Sequence, residues 1–458
     1  MTRDLCLDFA DYIVESQYET LSATAIDAAK KSILDIFGVI LAATGLEPAV
    51  RGLIDLVQET GGSPESSVLG FPGRAPAMWA AFANGAMAHC LDFDDLTPWG
   101  NHATSSIVPA AFAVAERKGG VSGRDMITAI AVGQDMFARV LSNVDWRKDW
   151  NMSTVVGVFA GAAAAGRLLN LSREQMANAL SIASMQSAGT MEVVYGIGGD
   201  LRGMYAGFSA KAAVLSALLA EKGLSGAKSA LEGKVGFFNT YFNGNYQREK
   251  ILEGLGSVYR GDTTLYKPWP AVGPSHSHIH ATIELITHHD LRMEQIDQIR
   301  IHVGDYQQIM STPLESRRAP ATLADAKFSL PFIVAIAAVH RGVKISDFTE
   351  SALKDPQVLA AAQKVVPVPD AAFDWKFELP LGRVEIITKD GRKLDRVGAN
   401  VPGSTESPMT WDDISRKFGE CASVAAVPPS VAQIGKVQQM ARQLESLDDA
   451  TELLRVLR

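Results

Sequence analysis

The chain has 458 residues, a length for two or three domains, and its 47% hydrophobic content supports a sizeable buried core. A formal net charge of -8 with no basic block to offset it argues against a nucleic-acid or anionic-membrane surface. Cys6, Cys90 and Cys421 lie far apart in neither CxxC nor CxxH spacing, which excludes a thiolate zinc cage and fits a reducing, cytoplasmic setting.

The first residues contain no uninterrupted apolar core of the secretory kind, and no segment is expected to reach the ~18 apolar residues of a membrane span. The longest candidate, Val155 to Gly166, is short and rich in alanine and glycine. Ser22-Ala-Thr24 precedes apolar residues at Ala25, Ala28, Ala29, Ile33, Leu34 and Ile36, which is helical spacing behind a plausible cap. Helical patterns follow over Ala75 to Leu91, Ser105 to Lys118, Gly123 to Ser142, Thr154 to Leu169, Ser172 to Ala188 and Gly203 to Lys222. Small residues dominate them, so neighbouring helices must approach closely, and Gly119-Gly120 and Gly223 mark stops. Near residue 260 the pattern changes. Gln298 to Val303 and Gly382 to Thr388 alternate apolar and polar residues and read as strands, with a buried helix over Phe328 to Val339 between them. The expected fold is mainly α: a large all-helical domain over 1–265 and 405–458, with an inserted smaller α+β lid domain over 266–404.

The densest chemistry lies in His89-Cys-Leu-Asp92-Phe-Asp94-Asp95-Leu-Thr97 followed by Asn101-His102. Three carboxylates and two imidazoles sit between two apolar helices, and burying that many ionisable groups is costly unless they are paired or used. Asp94 or Asp95 could simply cap the helix starting near Ser105. Asp92 and His102 read as functional. The DxDD order also fits a terpene-cyclase acid motif, and clustered aspartates can hold magnesium, but the chain has only 7% aromatic residues and none interleaved here to stabilise a carbocation.

Further along, Gly196-Ile-Gly198-Gly199-Asp200 follows no strand and lacks the third glycine of a dinucleotide fingerprint, so it reads as a loop reaching a cleft. Arg202 directly after it suits the two-pronged grip of a carboxylate. Lys267 precedes Pro268 and so sits in extended backbone, from which an ammonium could reach an anion. His276-Ser-His278-Ile-His280 could bind zinc or iron on a strand, giving a metal-dependent hydrolase; the helical look of Ala281 to Ile286 would aim the rings in different directions.

The stretch from His89 through Asp92, Asp94-Asp95 and His102 to Pro109-Ala110, Gly123-Arg124-Asp125 and Arg139 resembles the MmgE/PrpD family. The resemblance continues through Tyr266-Lys267-Pro268-Trp269-Pro270 with His276, Ala326-Lys-Phe-Ser-Leu330 and Pro408-Met-Thr-Trp411, and covers nearly the whole chain. It implies a homodimer with the site in the cleft between two parts of each subunit, no metal and no cofactor. It also implies a small polycarboxylate substrate and a lyase of the 2-methylcitrate dehydratase type, with decarboxylase or epimerase as alternatives. Such chemistry moves a proton at carbon next to a carboxylate and needs a base, an acid and cations. Asp92, His102 and Lys267 are the expected catalytic residues; His89, Thr97, Asn151, Arg202, Tyr205 and His276 are expected to bind substrate. The chain departs from the family pattern at Asn151, where a histidine is common, and at Arg202, where a lysine is common. Asparagine hydrogen-bonds but takes no proton at neutral pH, so the reaction is expected to have drifted, and a non-catalytic carboxylate-binding paralogue is the alternative outside enzymes.

Overall fold

The computed structural model describes residues 3–197, 199–376 and 378–458; Gly198, in the glycine run read above as a loop, lies outside them. Helix α1 (Ala23–Leu46) starts where the Ser22 hydroxyl accepts a hydrogen bond from the Ala25 amide, the cap expected from the sequence. After it come α2 (Ala77–His89), α3 (Thr104–Lys118), α4 (Gly123–Leu141), α5 (Gly157–Leu168), α6 (Arg173–Ser184) and α7 (Ala206–Glu221).

The α2–α7 contact shows why small residues fill these helices. A Cβ added to Gly207 would lie 2.5 Å from the Phe82 carbonyl oxygen, so only glycine allows this approach. Every α2 residue from Ala80 to His89 is buried, and a helix enclosed on all sides shows little amphipathic periodicity. The helical run Leu201–Glu221 is long and apolar enough to cross a membrane by length and composition, contrary to the expectation that no segment qualifies. Of its apolar window 72% is buried inside the fold, because this run packs between α2, α5 and α6.

Beyond residue 270 a second apolar cluster forms around α8 (His276–His288), β1 (Ile296–Val303), α9 (Leu330–His340), β2 (Val365–Pro369), β3 (Arg383–Thr388) and β4 (Lys393–Val397). The strand order is β2-β1-β3-β4; β1 and β2 run parallel with Ile299 opposite Val365, and the other pairs are antiparallel. Ile299, Ile301, Val384 and Ile386 alternate inward and join a core with α8 and α9. Helix α10 (Trp411–Ser423) returns to pack on α1, burying Ile414 and Phe418. The first cluster draws on residues from Leu5 to Tyr266 and from Met409 onward, and the second on residues from Met191 to Ile386. Among the described residues the chain is therefore mainly helical, with this four-stranded sheet and a two-stranded ribbon of Ser66–Ser67 and Arg74–Ala75.

Candidate active site

The segment between α2 and α3 is held from outside by three buried lysines. Lys327 donates to the Cys90 carbonyl at 2.9 Å, Lys267 to the Asp92 carbonyl at 2.9 Å and Lys417, on α10, to the Phe93 carbonyl at 2.6 Å. Each ammonium also meets a carboxylate: Glu47 at 3.2 Å for Lys327, Asp35 at 2.7 Å for Lys417, and the Asp92 carboxylate for Lys267. A buried charge left unpaired is expensive, so these pairs fix where the lysines can sit. Asp92 takes a positive φ of 50°, a conformation that aspartate tolerates better than most residues. The bridge between Leu96 and Leu265, with hydrogen bonds of 2.9 and 2.8 Å, brings the Lys267 strand alongside the loop.

Behind Asp92 the two imidazoles meet one carboxylate. His89, the last residue of α2, has its Nδ1 3.0 Å from both Asp94 oxygens, and His102 has its Nδ1 3.2 Å from Asp94 Oδ2. His102 Nδ1 also lies 2.6 Å from the Asp95 carbonyl oxygen. A carbonyl only accepts, so His102 Nδ1 carries a hydrogen, and in the neutral ring Nε2 then holds the lone pair. Burial would raise the Asp94 carboxyl, but the facing histidines hold it well below the usual carboxylate range. Asp95 is pushed up to about 7 by burial and by the negative charge of Asp94, against a hydrogen bond from Thr104. Asp95 also accepts from the Thr104 amide and hydroxyl at the start of α3, so the capping role open to either aspartate belongs to Asp95. For Asp92, burial is outweighed by the Lys267 charge, and its carboxyl stays low.

His89, Asp92 and His102 line a cavity together with Asn151, Ser153, Arg202, Tyr205 and Lys327, and with an aromatic lining of Trp146, Tyr306, Phe328 and Trp375. Asn151 caps the helical turn Met152–Val155 through its Oδ1, while its Nδ2 has no partner among the described residues. The Arg202 guanidinium is largely occupied: Nε donates to Val193 O at 3.4 Å and Nη2 to the Val194 and Gly196 carbonyls. Arg202 thus fastens the loop before the glycine run, and Nη1, 3.7 Å from Asp325, is its one arm without a hydrogen bond.

Three residues expected at the substrate stand elsewhere. Lys267 is 0% exposed and turned onto Asp92, so it organises that carboxylate and does not line the cavity. Thr97 closes a turn with Asn101, its amide donating to the Asn101 carbonyl at 2.8 Å. His276 opens α8, donates from Nε2 to the Ala271 carbonyl at 3.1 Å and packs edge-on to Trp269; burial and the Lys267 charge push its imidazolium down to about 3. His278 turns to the His302 carbonyl at 2.8 Å while His276 and His280 both flank Trp269, so helical geometry turns the middle ring away from the other two. Lys327 lies inside the stretch Ala326–Leu330 that resembles the family, which is its only signal in the sequence, and Ser153, Tyr306 and Trp375 carry none of their own.

Among the described residues one trio, His89, Asp94 and His102, offers ligand atoms within 4.8 Å of one another. The contacts of 3.0 and 3.2 Å are hydrogen-bond lengths. The trio as built is an acid/base cluster on a cavity wall, with Arg202 Nη1 and Lys327 as the nearby cations.

Residues 7–249 match the MmgE/PrpD N-terminal domain and residues 269–442 the MmgE/PrpD C-terminal domain. The chain is 29% identical to cis-aconitate decarboxylase of Aspergillus terreus (strain NIH 2624 / FGSC A1156) over 85% of this chain and 83% of the relative. It is 26% identical to human cis-aconitate decarboxylase over 100% of this chain and 95% of the relative. With 2-methylcitrate dehydratase of Escherichia coli (strain K12) it shares 25% identity over 86% of this chain and 85% of the relative.

Proposed function

Since the chain belongs to the MmgE/PrpD family, we propose that it is a cofactor-independent lyase acting on a small di- or tricarboxylate, a hydro-lyase of the 2-methylcitrate dehydratase type. The observation that carries the reading is the placement of His102: Nδ1 faces Asp94 and the Asp95 carbonyl, and Nε2 has no hydrogen-bond partner among the described residues on a ring that lines the cavity. In this reading His102 Nε2 removes the proton next to a substrate carboxylate. Lys327 and Arg202 Nη1 attract the carboxylates and offset the charge that develops, and the ionised Asp92, held by Lys267, fixes the substrate's orientation. Relatives named as lyases on tricarboxylates support it.

A second reading is decarboxylation. Asn151 favours it, since loss of carbon dioxide needs one proton delivered and no base to remove another, and an amide in place of a titratable ring is then no defect. A homodimer, metal independence and a cytoplasmic location belong to the same proposal; the free, buried thiols of Cys6, Cys90 and Cys421 support the last.

The test is incubation with citrate-like and aconitate-like acids in heavy water, followed by NMR. Deuterium incorporation with water or carbon dioxide loss is expected, unaffected by a chelator. His102→Ala should lower turnover ~10²–10⁴-fold in a folded protein. Near-normal turnover in that variant removes His102 from the mechanism, and tight binding of the acids without turnover supports the binding paralogue.

A further inference from the structure

We propose that His89 is a second catalytic acid/base, coupled to His102 through Asp94, so that the two imidazoles work with one mobile proton between them. The inference rests on the lyase reading above.

Four observations carry it. Asp94 is 0% exposed, and among the described residues its carboxylate is bonded by these two rings alone. Because Asp94 is ionised, it accepts from His89 Nδ1 and attracts the Nδ1–H edge of His102 at 3.2 Å, and both rings line the cavity. The rings lie 4.5 Å apart between centroids, and Tyr205 packs on His89 at 4.3 Å, which fixes the His89 plane. Finally, elimination of water requires a base and an acid, and Asn151 can be neither.

The two rings are not equivalent. His89 closes the C-terminal end of α2, where a positive charge is favoured by the helix dipole, and reaches both Asp94 oxygens. His102 gives its short bond to a neutral carbonyl. In the proposed step His89 therefore serves as the acid and His102 as the base. The other ionisable groups facing the pair are Asp92 with its Lys267, Asp95, and the Tyr205 phenol, which burial raises well above its ordinary value.

In dehydration the electrons of the C–H bond form the double bond while the proton passes to His102 Nε2. The C–O bond breaks, and the oxygen leaves as water with the proton from His89 Nε2. One proton is gained and one lost, and passage of the proton from His102 Nε2 to His89 Nε2 by way of water in the cavity both rings line restores the pair. In decarboxylation the same His89 proton goes to the carbon that carbon dioxide leaves.

The test has one arm without substrate and one with it. In the resting protein, 15N-detected imidazole spectra should show Nδ1–H on both His89 and His102, and Asp94→Asn should move the signals of both rings. Movement of the His102 signals alone, or a neutral His89 with its hydrogen on Nε2 and none on Nδ1, overturns the coupling. With substrate, His89→Gln should reduce kcat ~10²–10⁴-fold with KM little changed, and Asp94→Asn should move the limb of the kcat profile set by the pair to lower pH. Activity within threefold of the parent with an unchanged profile in folded His89→Gln overturns its catalytic role. If the parent protein itself moves no substrate proton, the lyase reading and the role of His89 in it both fall, while the spectra still decide the Asp94 coupling. Circular dichroism separates these outcomes from loss of fold.

Discussion

Asp94 and Asp95 are consecutive and fully buried, yet hold opposite protonation tendencies. Two imidazoles keep Asp94 ionised, and that charge, added to burial, pushes Asp95 up to about 7. A carboxyl whose folded value is raised binds its proton more tightly in the folded state. Its stabilising effect is full below the unfolded value near 4 and is lost as pH rises through about 7, with a slope of up to ~1.4 kcal/mol per pH unit. Asp94 acts in the opposite sense, adding stability above the unfolded value that is lost on acidification. Asp95→Asn should therefore reduce the fall in unfolding free energy between pH 5 and 7.5 by about 1 kcal/mol or more, read from urea titrations at both pH values. An unchanged difference would show that Asp95 is already ionised. At Asn151, exchange for histidine should cost roughly 0.5–2 kcal/mol through the lost cap and leave native turnover no higher. The same change should raise weak activity on 2-methylcitrate, and a side-by-side assay of both acids checks it. A large gain on the native substrate would mark Asn151 as a defect.

The element on which the site depends is the turn between α2 and α3, whose carbonyls are gripped by lysines distant in sequence. Lys417 on α10 is 4% exposed, pairs with Asp35 of α1 and lies 3.9 Å from the Phe93 ring centroid. Burial raises the Asp35 carboxyl, and the Lys417 charge opposes it. Lys417→Met would leave Asp35 uncompensated and is expected to cost about 3–5 kcal/mol by chemical denaturation. Adding Asp35→Leu should recover most of that loss, since two apolar groups need no partner. Failure of the second change to help would show that the Phe93 carbonyl bond is the main contribution of Lys417.

Across the whole molecule, the cavity joins residues of both apolar clusters: His89 and His102 flank the first, while Phe328 and Val272 belong to the second. A surface feature bears on assembly. Phe208 of α7 is 51% exposed and Leu201 52%, with Phe208 edge-on to Phe82 and Phe82 edge-on to Trp79. Exposed apolar side chains of this kind suit a second copy of the chain. Light scattering should give twice the 49.1 kDa chain mass, and Phe208→Lys should shift the protein toward the monomer. A monomeric parent protein would overturn the homodimer.

Local rules made the helices readable: the Ser22 cap, the glycine stops and the alternation in β1 and β3 act over a few residues, so their outcome is written in neighbouring side chains. The family was legible for the same reason, because His89 to His102 is one contiguous run. Its ionisable groups had to meet somewhere buried, and they do. Which partner each group takes was decided only by the fold. A long cationic side chain reaches many acceptors, and packing alone selected Asp92 for Lys267, the loop carbonyls for Arg202 and the Cys90 carbonyl for Lys327. The division of roles between Asp94 and Asp95 depends on the imidazoles and hydroxyl that surround them, and the aromatic lining from Trp146, Tyr306 and Trp375 joins residues more than 200 positions apart. Sequence determined the residue types available to the site; the low dielectric of a closed core, where every charge must find a partner, determined their arrangement.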